Sequence, residues 1–291
     1  MPQDHHCPAL RRAWVTSGVI RYCYRVAGDA HVERLPLVLV HGLGVSSAYW
    51  ARLQPLLATR RLVYAPDLPG FGRTTRPRGI LNTAALARAL ADWMNAVGLT
   101  RVHLLGHSLG GPVVAEFAHH YSERADRLIL VGATIGTRGA SAPYQTLGLL
   151  RDSVRESPSL FPVIMRDYWR AGICRVIGTD ITADNDDIIA TVAQLTLPLL
   201  IVRGDRDRVV PTRDTQQLRE AAAHASFVQI DRAAHAVHWS QPHALAVAVN
   251  APRYHAITII TCVVIALNKR IVTGIGVIDS RLRSLVPKAR H

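Results

Sequence analysis

RVHLLGHSLGG, residues 101–111, runs from an apolar stretch into a serine flanked by glycines. Arg101 to Leu105 is short, apolar and stopped by Gly106, which suits a buried strand. Pro112 to Tyr121 follows with helical character. Gly106-His107-Ser108-Leu109-Gly110 therefore has the form G-x-S-x-G between a strand and a helix, the context that gives the pattern meaning. A serine held on so sharp a turn projects its hydroxyl from a strained backbone. Glycines two residues to either side let strand and helix approach where a Cβ would clash. The helix aims its first N–H groups at the place where negative charge develops when such a hydroxyl attacks a carbonyl. Ser108 is thus the candidate nucleophile, and the amide of Leu109 a candidate donor to the oxyanion.

The same grammar repeats outward from this turn. Pro36 to Val40 stops at His41-Gly42, Arg61 to Ala65 at Pro66-Asp67, Arg127 to Val131 at Gly132, and Leu199 to Val202 at Arg203-Gly204; Phe227 to Ile230 is the last such run. Runs so short and apolar suit strands buried on both faces of a parallel sheet. Helical patterns lie between them. Leu86, Leu90, Trp93 and Val97 share one face, with Asn82 or Thr83 to cap the start and Gly98 placed to end it; Asp214 to Ala223 reads as another helix. Strand, turn and helix in alternation predict an α/β fold, a mostly parallel sheet flanked by helices. Trp14 to Thr16 and Val19 to Val26 suit an antiparallel hairpin at its edge. The interval 134–196 breaks the alternation and reads as a helical cap inserted above the sheet. The core is then 1–133 with 197–252, a final helix runs from about Ser240-Pro242 to Asn250, and 253–291 is an extension.

A serine hydroxyl is a weak nucleophile near neutral pH and needs a base, itself oriented by an acid. In this architecture the partners follow in the order serine, acid, histidine. After Leu199 to Val202 stand two carboxylates, Asp205 and Asp207. Asp207 is favoured as the acid, and Asp205 as a residue that shapes the turn. After Phe227 to Ile230 stand His235 and His238; His235 is favoured as the base and His238 is its rival. The second oxyanion donor is expected from His41-Gly42-Leu43-Gly44, with the amide of Leu43 best placed and His41 bracing the loop.

Taken together, His41 to Gly44, Asp67-Leu68-Pro69-Gly70-Phe71-Gly72-Arg73-Thr74, Gly106 to Gly111, Gly204 to Pro211 and Ala234-His235 resemble the α/β-hydrolase superfamily in its serine esterase, lipase and haloperoxidase-like branch. The resemblance covers about residues 14 to 250. It implies a cap after the sixth strand, a Ser108-Asp207-His235 triad and no cofactor or metal. The family often has glycine where Ala234 stands, and serine where Thr74 stands. Gly132-Ala133-Thr134 offers no acid at the end of the sixth strand, which supports Asp207. A serine nucleophile argues against the epoxide-hydrolase and haloalkane-dehalogenase branches. The expected reaction is hydrolysis of a carboxylic ester of a small or hydrophobic substrate through an acyl-enzyme. The same triad serves a thioesterase, lactonase, carbon–carbon bond hydrolase or acyltransferase, and an idle binding protein on this scaffold is the reading from another class.

The bulk properties agree with a globular chain. Of 291 residues, 49% are hydrophobic and 19% charged, enough material for a core. The longest apolar run, Ala256 to Leu267, has 12 residues, short of the roughly 18 that a membrane span needs. The first 30 residues lack an apolar run with a small-residue cleavage site, so a cytoplasmic protein is expected. Cys7, Cys23, Cys174 and Cys262 are scattered and form no CxxC pair, which argues against zinc and a disulfide framework. The net charge of +13 is densest after residue 250, where seven Lys/Arg meet one acid. No nucleic-acid reader motif accompanies it, so no nucleic-acid partner is expected. The extension reads as an extra strand, a membrane-surface or dimer contact, or an appendage without function.

Overall fold

The computed structural model describes residues 8–29, 34–135, 156–183 and 187–251. All six short apolar runs form strands: β3 (Leu37–Val40), β4 (Val63–Pro66), β5 (Val102–His107), β6 (Ala125–Val131), β7 (Leu199–Gly204) and β8 (Ala225–Ile230). Before them come β1 (Arg11–Ser17) and β2 (Ile20–Ala27), the expected edge hairpin. The sheet order is β1-β2-β4-β3-β5-β6-β7-β8. β1, β2 and β4 pair antiparallel, and every pairing from β4 to β8 is parallel. The hairpin outruns its sequence signal because Arg11, Arg12 and Ala13 continue the ladder without an apolar pattern.

Alternation along each strand sends side chains to both faces. Val38, Val40, Leu104, Leu128, Leu130 and Ile201 join one core cluster, while Leu37, Leu39, Leu105, Ile129, Val131 and Val202 join another. All four residues of β3 are fully buried, and each such side chain contributes about 1.5–3 kcal/mol of hydrophobic stabilisation. The first face is covered by α2 (Thr83–Ala96) and α3 (Gly110–His120), through Leu86, Leu90, Trp93, Val113 and Phe117. Asn82 Oδ1 caps α2 by accepting from the Ala85 amide at 2.9 Å. Gly98 follows that helix in the left-handed region, φ +76°, as a C-terminal glycine should. The second face is covered by Trp50, Leu53 and Leu57, the last within the short helix α1 (Gln54–Ala58), and by Leu245 and Val249. The sequence reading did not anticipate α1, whose one and a half turns are too few to show a period.

Between β6 and β7 lie α4 (Phe161–Ala171), α5 (Ile173–Ala183) and α6 (Ile188–Ala193). The chain then continues through α7 (Thr212–Ala221), α8 (Val237–Ser240) and α9 (Pro242–Asn250). Residues 136–155 of the expected cap and the expected extension 253–291 lie outside the described residues. Among the described residues no helix is long and apolar enough to cross a membrane.

The strand order reverses between β3 and β5. The chain goes from β3 outward to β4, then returns to place β5 on the other side. Loops leaving the carboxyl ends of two such strands diverge and leave a crevice, the usual ligand position in an open α/β sheet. Ser108 stands at the end of one of these strands and Leu43 just beyond the other.

Candidate active site

The turn after β5 has the strain that its sequence implies. Ser108 adopts φ +54°, and among the described non-glycine residues only Arg232 shares that region. The flanking glycines are required by packing. A Cβ on Gly106 would collide with the Gly110 carbonyl, and one on Gly110 with the Val40 carbonyl. The Ser108 amide donates to Val131 O at 3.1 Å, and its carbonyl accepts from the Gly111 amide at 2.8 Å. The serine is thereby tied both to β6 and to the first turn of α3. Its side chain opens into a cavity of about 90 Å³ that Gly42, Leu43, Leu109 and His235 also line.

The acid loop is fastened from beneath. Asp207 Oδ1 accepts from the amides of Val209 and Val210 at 2.9 and 3.0 Å. Arg203, buried at the end of β7, donates to the carbonyls of Asp207 and Val210 at 2.6 and 3.2 Å. With Oδ1 so engaged, Oδ2 meets His235 Nδ1 at 3.1 Å. Burial alone would raise the Asp207 pKa. His235, the Val210 amide and the Arg203 guanidinium outweigh it and hold the carboxyl below its usual range. Asp205, the competing carboxylate, instead accepts from the Ala233 amide at 3.0 Å, so it ties the acid turn to the loop carrying His235.

His238 lies elsewhere. It is fully buried, and neither ring nitrogen has a hydrogen-bond partner among the described residues. Its ring packs on Tyr49 at 4.1 Å, on His107 at 4.6 Å and on Trp50 at 4.7 Å. His107 stacks in turn on His235 at 4.7 Å, and its Nε2 donates to the His235 carbonyl at 3.1 Å. Burial, then the proximity of His235, push the His107 pKa down to about 3. Burial, then His107 and His235, hold the His238 pKa well below its usual value as well. A neutral aromatic floor therefore carries the His235 loop. In the sequence His107 is only a variable position of G-x-S-x-G; its place beside the candidate nucleophile was the available signal.

The loop after β3 is braced as expected. His41 Nε2 accepts from the Leu68 amide at 3.0 Å, which leaves Nδ1 to donate to Gly42 O at 2.8 Å. The amides of Leu43 and Leu109, the expected oxyanion donors, give no hydrogen bond to another group among the described residues. The structure thus gathers Ser108, His235, Leu43 and Leu109 around one cavity, with Asp207 behind the imidazole. On the cap side α4 supplies Ile164 and Tyr168, and α5 supplies Asp180.

The sequence model of the family described as the alpha/beta hydrolase fold matches residues 36–161, which include β3, the Ser108 turn and α3. Over these residues the chain matches the α/β-hydrolase family, and its sheet has the α/β-hydrolase fold. Among relatives of this hydrolase-fold chain, an uncharacterized protein of Mycobacterium tuberculosis is 33% identical over 158 residues, 54% of this chain and 45% of that one. The 2-hydroxy-6-oxo-2,4-heptadienoate hydrolase of Pseudomonas putida is 42% identical over 102 residues, 34% of this chain and 37% of that one. The matched stretches thus span less than half of these curated relatives. A solved structure, 2-hydroxy-6-oxo-6-phenylhexa-2,4-dienoate hydrolase from Rhodococcus sp. RHA1, superposes with TM-score 0.71 at 23% identity. It covers 83% of this chain and 98% of its own, and it is a likeness of fold.

Proposed function

We propose that the chain is a serine hydrolase that cleaves a carboxylic ester through an acyl-enzyme. The observation that carries this reading is the buried Asp207–His235 hydrogen bond beside a strained serine that opens into the same cavity. His235 Nε2 takes the proton of Ser108 as the hydroxyl oxygen attacks the ester carbonyl carbon. Asp207 holds the Nδ1–H tautomer and stabilises the imidazolium. The amides of Leu43 and Leu109 receive the oxyanion, each worth about 3–4 kcal/mol in the transition state. His235 returns the proton to the departing alcohol, then activates the water that releases the acid. The side chains of Leu43, Val45, Ile135 and Ile164 around the cavity favour an apolar acyl or alcohol part.

A second reading keeps the triad and breaks a carbon–carbon bond. It is favoured by the local likeness to the Pseudomonas hydrolase. One experiment separates the readings. The protein and Ser108→Ala are assayed with p-nitrophenyl esters, a thioester, a lactone and a 2-hydroxy-6-oxo-dienoate, alongside fluorophosphonate labelling. Ester turnover and labelling, both lost in Ser108→Ala, are expected. Turnover of the dienoate alone assigns the second reading, and undiminished ester hydrolysis by Ser108→Ala removes the nucleophile.

A further inference from the structure

Residues two apart on a helix point about 200° from one another. While Ile164 and Tyr168 of α4 face the catalytic cavity, Arg166 and Arg170 face a separate depression of about 50 Å³. Arg12 of β1, Arg25 of β2 and Arg73, beyond β4, line it too. Asp67 lines the depression and Asp167 pairs with its Arg166, and both acids are already engaged. Asp67 accepts from the amides of Ser47 and Arg73 at 2.7 and 2.9 Å. Asp167 accepts from Ser46 Oγ at 2.5 Å and pairs with Arg166 at 2.9 Å. Five guanidiniums thus meet two carboxylates, a surplus of three positive charges. Among the described residues no carboxylate stands within ion-pair distance of Arg12, Arg25, Arg73 or Arg170.

The placement works against folding at two levels. Arg12 and Arg25 are direct cross-strand partners in the hairpin, where like charges repel. Arg166 and Arg170 stand four apart on one helix, which is also unfavourable for like charges. The two pairs then converge from different elements. Burial, followed by Arg12 and with a contribution from Arg166, lowers the pKa of Arg25 despite the nearby Asp67. Local choices that conflict with stability mark functional positions.

We propose that this depression binds a phosphate-type oxyanion, and that the bound anion fastens α4 to the β1–β2 hairpin. Guanidinium forks match phosphate oxygens two at a time, and a cavity this small suits a single oxyanion group. The ligand is either free phosphate or the headgroup of an anionic lipid. Because α4 also presents Ile164 and Tyr168 to the catalytic cavity, the anion tunes substrate KM from the far face of the helix.

The test compares the full chain with Arg25→Gln/Arg170→Gln and with the exposed single replacement Arg12→Gln. Thermal unfolding is followed in inorganic phosphate and in sodium chloride of equal ionic strength. Phosphate should raise the parent midpoint by about 2–4 °C or more. The double variant should lose that shift while melting no lower than the parent in chloride, because its repulsion is relieved. Arg12→Gln should weaken phosphate binding about tenfold, so the proposal stays testable whether or not the double variant folds. Co-sedimentation with phosphatidic acid vesicles, against phosphatidylcholine alone, distinguishes the sources. Vesicle binding that the variants lose assigns a headgroup, whereas a phosphate shift without vesicle binding assigns the free anion. The proposal is overturned if the parent responds to neither probe. It is equally overturned if the variants respond as the parent does.

Discussion

Replacing Asp207 with asparagine changes one atom and tests the proposed proton chain directly. In the parent, Oδ1 takes two amide hydrogen bonds at 2.9 and 3.0 Å, and Oδ2 faces His235 Nδ1 at 3.1 Å. Only the oxygen of an asparagine can accept from Val209 and Val210, so its NH₂ must turn to His235. Nδ1 then accepts instead of donating, and the imidazole is locked with its proton on Nε2. That nitrogen can no longer take a proton from Ser108. The comparable substitution in a serine-protease triad costs about 10⁴-fold in kcat, or roughly 5.4 kcal/mol of transition-state stabilisation. Here the two amide bonds enforce the same flip, so a similar loss in kcat on a p-nitrophenyl ester is expected, with KM and the melting midpoint nearly unchanged. The control is Asp205→Asn, which keeps an oxygen for the Ala233 amide and should stay within about tenfold of the parent. If Asp207→Asn retained more than a tenth of the activity, or Asp205→Asn proved the more damaging change, the assignment of the acid would fail.

Two further outcomes concern the buried histidines. His107→Phe keeps a ring in the stack but deletes the hydrogen bond to the His235 carbonyl. It should lower kcat about 10- to 100-fold through misplacement of the base with little change in KM; an effect on KM alone would refute a positioning role. Burial is also the first cause of the lowered pKa values of His41, His103, His107 and His238. Below about pH 6.5 the unfolded chain binds protons that the folded chain refuses. Their stabilisation is therefore complete above that pH and is lost as pH falls toward about 4 for His103 and about 3 for His107. Each costs about 1.4 kcal/mol per pH unit within its window. Urea denaturation at pH 7, 6 and 5 should show a decline steeper than one proton accounts for, and a flat profile would contradict the burial of these rings.

The parts legible in the sequence were those governed by local rules. Arg101 to Gly111 announces strand, turn and helix because sterics at Gly106 and Gly110 leave few other solutions. Asn82 and Gly98 were readable as helix ends for the same reason. The choice of Asp207 over Asp205 rested on order along the chain, and the hydrogen bonds that separate them come from the fold. His238 looked like a rival base because one-dimensional spacing puts it three residues from His235. Only packing against Tyr49 and Trp50 sets it beneath the loop. The arginine depression was invisible for the same reason, since Arg12, Arg25, Arg73 and Arg166 come from four places in the chain.

In the proposed mechanism the catalytic and the selective parts have separate origins. Ser108, Asp207 and His235 hang from strand ends whose positions are fixed by the main core, whereas Ile164, Tyr168 and Asp180 reach the same cavity from α4 and α5. Substitutions confined to these two helices can therefore exchange one preferred compound for another while the chemistry below is inherited intact, which makes the roof the place where new specificities are most cheaply sampled by evolution or by a directed library.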